Sequence, residues 1–353
     1  MAAGLVLVAA CSSGDDSGGG SGGGGSIAER LESLPAGLSD DPALVVFGDL
    51  DEAADLADVS LSGDSSNDDA IDAILAITAG PVRGKASAVA AVTPEAAHVD
   101  RMAGDGLDEF RDEVGWSVLD VDSFVEYQVP PRNVTVMAGD FDEDRLSEAL
   151  GEPDDGVWVI GDPDGDLQIE DTSPARPLGE PLWLSLVDGR LVVTRTEEAM
   201  DAVRSDDGKT LGDDVFFRPL AEALDGEDVY SAMLTGPVMA DPRVAPSQCD
   251  AFLPRPFGGV AAAIADDHGP VVVLAYVHDG ADAAEANAEA LEQLVDDGRS
   301  IAGRQPWSEY FEVDDISTDD NVLVARLRVT EDGRAGIWRQ LLLQRDNLVA
   351  FCT

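Results

Sequence analysis

Residues 182–187 and 191–194 are two apolar, strand-forming runs separated by a short turn at Asp188-Gly189. Asp-Gly supplies the positive φ values of a tight turn, so the two runs read as an antiparallel hairpin. A second hairpin is expected from 259–264 and 271–277, closing across Asp266-Asp267-His268-Gly269-Pro270. Such hairpins outnumber strand–helix–strand connections of the dozen or more residues that parallel pairing requires. The expected fold is therefore α+β, with antiparallel sheets and helices packed on one face.

Helix signals fall between the strands. Asp68-Asp69 opens an apolar helix that Gly80-Pro81 stops, and further helices are expected at 196–204, 213–224, 281–295 and 333–344. Strand character marks 86–92, 116–121, 134–137, 229–234 and 322–329, and the run at 116–121 leads to Asp122 and a short helix that ends before Pro130-Pro131. A faint repeat is also visible. Val46-Phe47-Gly48-Asp49-Leu50-Asp51-Glu52 recurs as Met137-Ala138-Gly139-Asp140-Phe141-Asp142-Glu143, and a looser copy runs from 271–277 to Asp279. Each copy reads as a strand ending near glycine, then an Asp that caps a helix whose acidic first turn suits its dipole. Repetition of this unit suggests duplication into two related lobes, at roughly 40–130 and 131–245, with a hairpin–helix segment at 246–353 completing or extending the second. Chance similarity of short strand–helix junctions is the alternative.

Charge limits the partners. The chain of 353 residues carries 22 Lys+Arg against 71 Asp+Glu, a formal charge of −49. Nucleic acid is excluded, because duplex affinity comes largely from cations that displace counterions from phosphates. The 44% hydrophobic content argues for folded domains despite the charge. Only Lys85 and Lys209 are lysines, a usage that GC-rich coding produces without functional cause. The carboxylate excess is left with two readings: a solvated acidic surface, or an acidic face that collects cations or a basic partner.

The N-terminus carries a processing pattern. Residues 5–10 are apolar and end in small residues directly before Cys11, and residues 17–26 are glycine and serine alone. Val8-Ala9-Ala10-Cys11 resembles the lipobox of bacterial lipoproteins. The resemblance implies a diacylglyceryl group on the Cys11 thiol, cleavage just before it, and acylation of the new terminus. No cation precedes Arg30, so residues 1–10 read as a truncated export signal and 11–26 as a lipidated cysteine and tether. Two or three acyl chains, at ~0.8 kcal/mol per buried methylene, anchor a protein stably where one does not. The implied location is extracytoplasmic, at the outer face of the cytoplasmic membrane. Cys249 and Cys352 remain as an even pair, which an oxidising compartment allows to form a disulfide; two buried free thiols are the alternative.

Chemistry-bearing patterns are few. Asp162, Asp164 and Asp166 alternate around a Gly turn and offer oxygens to a cation, but an EF-hand needs Gly and Glu where Leu167 and Ser173 stand, so a polar turn competes. His98, His268 and His278 form no spaced metal or triad pattern, and no nucleophile elbow or P-loop accompanies them. No catalytic residue, cofactor or metal set is therefore expected. Trp158, Trp183, Trp338, Phe216 and Phe217 sit in strand or helix patterns where core packing is the default.

The combined reading is a membrane-anchored, non-catalytic envelope interaction or structural protein. The alternative is a carrier for a small amphiphile or solute, with a hydrolase third. Metabolic labelling with a palmitate analogue is expected to mark the wild-type chain and leave Cys11→Ser unmarked. Equal label in both contradicts the lipidation.

Overall fold

The computed structural model describes residues 25–38, 43–63, 65–78, 89–99, 106–163, 170–205, 208–238, 251–331 and 333–351. Within them the strands are β1 (Ala43–Asp49), β2 (Val121–Gln128), β3 (Val134–Gly139), β4 (Val157–Ile160), β5 (Leu182–Val187), β6 (Arg190–Thr194), β7 (Val229–Gly236), β8 (Gly259–Asp266), β9 (Pro270–Val277), β10 (Phe311–Asp319) and β11 (Val322–Val329). All eleven join one sheet in the order β10-β11-β9-β8-β7-β1-β2-β3-β6-β5-β4, and every pairing is antiparallel. The α+β antiparallel class is as expected. Both hairpins form at the expected turns, with Asp188 at φ 49° and His268 at φ 57° in the left-handed region.

The helices are α1 (Ile27–Leu31), α2 (Leu50–Leu56), α3 (Asn67–Ile77), α4 (Gly106–Val114), α5 (Glu143–Leu150), α6 (Glu197–Arg204), α7 (Phe217–Asp225), α8 (Ala281–Asp297) and α9 (Ile337–Leu343). They cover both faces of the sheet, which corrects the expectation of one. Strand alternation sends Val46, Met233 and Ala262 into a core with α2, α3, α4, α5, α8 and α9. The intervening Val45, Phe47, Leu234 and Ala261 enter a second core with α1, α6 and α7. A central strand with two buried faces is apolar throughout, as β8 and β9 are, so its sequence shows no polar side to give the second layer away.

The segments 40–130, 131–245 and 246–353 all contribute strands to this sheet. β2 and β3 pair across the turn that separates the first two, and β7 pairs with β1. From the central β1–β7 pair, β1-β2-β3 and β7-β8-β9 run outward in the same order. In each half the third strand leads to a helix, α5 or α8, and then to antiparallel strands, three (β4, β5, β6) in the first half and two (β10, β11) in the second, the last of which returns beside that third strand, β6 by β3 and β11 by β9.

Two strands depart from the sequence reading. β2 occupies 121–128, where a short helix is expected after Asp122; it pairs on both edges, with β1 and β3, and is buried on both faces, so no alternation marks it as a strand. β10 has no counterpart in the sequence reading at all. β10 carries Glu312, Asp314, Asp315 and Asp319, and these charges hide its periodicity. It sits at the sheet edge, where charge discourages pairing with other chains. Arg328 on β11 reaches Asp314 across the pair at 3.2 Å.

Between α3 and α4 an irregular segment, 89–97, crosses the first face at right angles to the logic of the ladder. Val89, Ala90, Ala91 and Val92 are buried, so their backbone N–H groups need partners other than water. The strands beneath supply them. The Ala90 N–H donates to the Tyr230 hydroxyl (3.2 Å) on β7, and the Val92 N–H to the Ser231 hydroxyl (3.2 Å) beside it. Over β1 the strand presents Gly48, where a side-chain carbon would meet the Phe124 ring at 2.4 Å and the Val92 carbonyl at 3.1 Å. Over β2 the Glu95 N–H donates to the Glu126 carboxyl (2.9 Å). From the other side the Trp338 indole of α9 donates to the Ala90 carbonyl (3.0 Å). The strand expected at 86–92 is thus, over its described part, a crossing segment with one isolated bridge, Ala90 to Thr78.

Removing an acceptor leaves a buried N–H unpaired. Ser231→Ala and Tyr230→Phe are each expected to lower the unfolding free energy by about 1–3 kcal/mol, read from urea transitions at unchanged slope. A change below about 0.3 kcal/mol in both would contradict this account of the segment.

Candidate functional site

Glu126 is the most perturbed carboxyl in the first face. It lies on β2 where alternation calls for an apolar side chain, and it is 1% exposed. Gln128 Nε2 donates to Oε1 at 2.5 Å, while the Glu95 N–H and the Thr135 hydroxyl (3.0 Å) donate to Oε2. Burial, aided by the nearby Glu95 carboxylate, pushes the Glu126 carboxyl up from 4.5 to about 7 against these three donors. Glu95 itself pairs with Arg195 (2.7 Å), which also faces Glu180 at 3.4 Å. The void beside this network, bordered by His98, is only about 10 Å³. A group so enclosed and so fully hydrogen-bonded ties the crossing segment to the sheet and leaves no room for a substrate.

A larger concavity lies at the end of β1 and the start of β2. It encloses about 540 Å³, lined by Asp49, Asp51, Glu52, Asp55 and Asp122 with the aliphatic Ala54, Val59 and Leu61. The fold explains why these residues meet. Asp49 ends β1 and caps α2, its carboxylate accepting from the Glu52 N–H at 3.0 Å, so the first turn of α2 projects Asp51 and Glu52. The β1–β2 register sets Asp49 opposite Ser123, and the ladder shifts between Val121 and Ser123. An irregularity of that kind re-aims side chains, and here consecutive residues Asp122 and Ser123 both border the basin.

Among the described residues no Lys or Arg lines the basin. Burial and then mutual repulsion raise the carboxyls of Asp51, Glu52 and Asp122, with Asp49 acting on all three. Arg30 acts on Asp49 and Asp122 from α1, where burial opposes its charge and its guanidinium lies 5.6 Å from the Phe47 ring centre. Ser123 is 1% exposed and its hydroxyl has no hydrogen-bond partner among the described residues.

A third concavity, of about 400 Å³, is mainly apolar, with Gln128, Thr235 and Arg345 in its wall. Leu44, Val238, Val260 and Leu342 line it, and Leu343 stands 63% exposed at its side, so it opens to solvent.

Of the residues singled out in the sequence, Cys11, Cys249, Cys352, Asp164 and Asp166 lie outside the described residues. Asp162 is half-buried at the turn after β4. Among the described residues no group of three or more His, Cys, Asp or Glu is arranged to hold a metal ion. The histidines occupy three separate settings. His98 ends the crossing segment at φ 46°, His268 sits in the β8–β9 turn, and His278 is buried, with Nε2 2.9 Å from the Asn287 amide and Nδ1 3.3 Å from the Asn321 carbonyl. Burial lowers the His278 pKa. The sequence reading missed Glu126 and the basin. An acid inside the run Phe124-Val125-Glu126-Tyr127 was the available signal for the first; for the second, capping accounts for Asp49, and nothing local joins Asp122 to it.

Comparison with family models, with curated proteins and with solved structures finds no match.

Because the folded-state value of Glu126 lies above its ordinary one, the protonated carboxyl favours the fold. Its contribution is fully present below about pH 4.5 and is lost as pH rises through about 7, on the order of 3 kcal/mol. Glu126→Gln, which the Gln128 amide accommodates by turning over, is expected to remove that component. Urea stability of wild type relative to the variant then falls between pH 5 and 8; parallel curves would contradict it.

Proposed function

We propose that the protein is a non-catalytic binding protein of the cell envelope, held to the membrane through lipid on Cys11, whose acidic surface engages a cationic partner. The observation that carries this reading is the basin: five carboxylates around one concavity with no lining cation among the described residues. Carboxylates that raise one another's pKa attract positive charge in the same measure. The lipobox-like Val8-Ala9-Ala10-Cys11 and the Gly/Ser run behind it support the anchored location. Export in turn supports a Cys249–Cys352 disulfide.

The sheet order supports an internal duplication with its seam before β7 rather than near residue 131. Two of the three sequence copies fall at matching places, β3 into α5 and β9 into α8. The halves differ in what joins their first two strands: residues 50–120 between β1 and β2, residues 237–258 between β7 and β8. The basin and the crossing segment are built on the longer of these connections. The binding surface is thus an elaboration of one half on a shared scaffold.

The carrier reading keeps support from the mainly apolar concavity, whose volume of about 400 Å³ suits a small amphiphile. One experiment separates the two. Native mass spectrometry of the full chain released from its own membranes is expected to show a complex that dissociates as salt rises from about 0.05 to 0.5 M, where screening is short-ranged. A retained apolar small molecule insensitive to salt supports the carrier instead. Only the free chain at every salt concentration contradicts both.

A further inference from the structure

We propose that the basin is a site for primary alkyl-ammonium groups, either a lysine side chain of a partner or a free aliphatic diamine. The inference rests on the cationic-partner reading and names the chemistry of its site. Three features of the basin select this class.

The first is its floor. Ser123 borders the basin, and its buried hydroxyl has no partner among the described residues. A buried hydroxyl left unpaired costs about 1–3 kcal/mol, and an ammonium N–H at the floor supplies the missing donor. The second is the mixed wall. Asp51, Glu52 and Asp122 face Val59 and Leu61, so the methylenes of an alkylamine lie on aliphatic surface while its charged head meets carboxylates. The third is dispersion of the charge. About 540 Å³ is far more than a bare ion fills, and no three of the described carboxylates converge at metal-holding geometry. A guanidinium gains from bidentate pairing and from stacking on aromatic faces, and among the described residues no aromatic side chain lines the basin. An ammonium is a compact point charge with three rotatable donors on a flexible stem, which suits carboxylates spread over several sides.

The test uses the full chain and calorimetric titration at low salt with four probes: 1,5-diaminopentane, its bis-trimethylammonium analogue, a short peptide of alternating Gly and Lys, and calcium chloride. The diamine is expected to bind, and the methylated analogue, equal in charge but without N–H donors, to bind at least tenfold more weakly. Asp51→Asn/Glu52→Gln/Asp122→Asn is expected to weaken the diamine at least tenfold, and Ser123→Ala about tenfold, as loss of one hydrogen bond to a charged group implies. Glu285→Gln/Glu289→Gln/Glu292→Gln, an equal charge change on the exposed side of α8, is expected to leave binding within twofold. Peptide binding tighter than the diamine points to a partner's lysine, and the reverse to a free amine.

Equal weakening by both triple variants would overturn the site, since binding would then follow the overall field. Equal affinity for the methylated analogue, read on wild-type protein, would overturn it independently of how any variant folds. Calcium that binds in the basin and displaces the diamine at equal concentration would overturn the ligand class. If no ammonium probe binds while the chain keeps a salt-sensitive partner from its own envelope, this inference fails and the broader reading stands.

Discussion

The structure turns on the way a buried, irregular stretch of backbone is satisfied. Residues 89–97 lie across β7, β1 and β2; Ala91 donates to the Ile77 carbonyl, but no strand ladder reaches the amides of Ala90, Val92 and Glu95. Tyr230, Ser231 and Glu126 stand in for the missing strand partners, and Trp338 closes the segment from above. Unpaired, each such amide would cost as much as a lost hydrogen bond, a large fraction of the few kcal/mol that stabilise a domain. The polar positions on the inner side of these strands follow from this need. So does Gly48, which gives the crossing chain and Phe124 the space that a side chain would fill.

The same constraint shapes the candidate site. The connection between β1 and β2 has to leave the end of β1, lay α2 and α3 on the first face, cross the sheet and return through α4 to β2. Its departure and its return lie side by side because β1 and β2 pair, with Asp49 opposite Ser123. Acidic caps and first turns, each a local answer to a helix terminus, are thereby gathered around one concavity. The overall charge of −49 supplies the field, and the fold decides where that field is concentrated.

Local chemistry made part of this legible. Asp188-Gly189 marked its hairpin, the apolar runs of β8 and β9 marked theirs, and Asp49 was placed correctly as a cap. In the second repeat copy the cap moves two residues on, from the Asp140 that the pattern singled out to Asp142, which accepts from the Asp144 and Arg145 amides. Non-local facts stayed hidden. A strand apolar on both faces does not announce two helix layers, and β10 conceals its pairing behind four acids. The crossing segment reads as strand because burial, not periodicity, selects its Val and Ala residues. Asp122 joins the basin only through a register and a ladder irregularity that no nearby residue encodes.

Residue-resolved hydrogen exchange of the native protein tests the role of the crossing segment most directly. The account expects the amides of Ala90, Val92 and Glu95 to be protected to the level of the central β1 and β2 amides, opening only with the sheet itself. Exchange of these three at the rate of an exposed loop, while β1 and β2 remain protected, would contradict it.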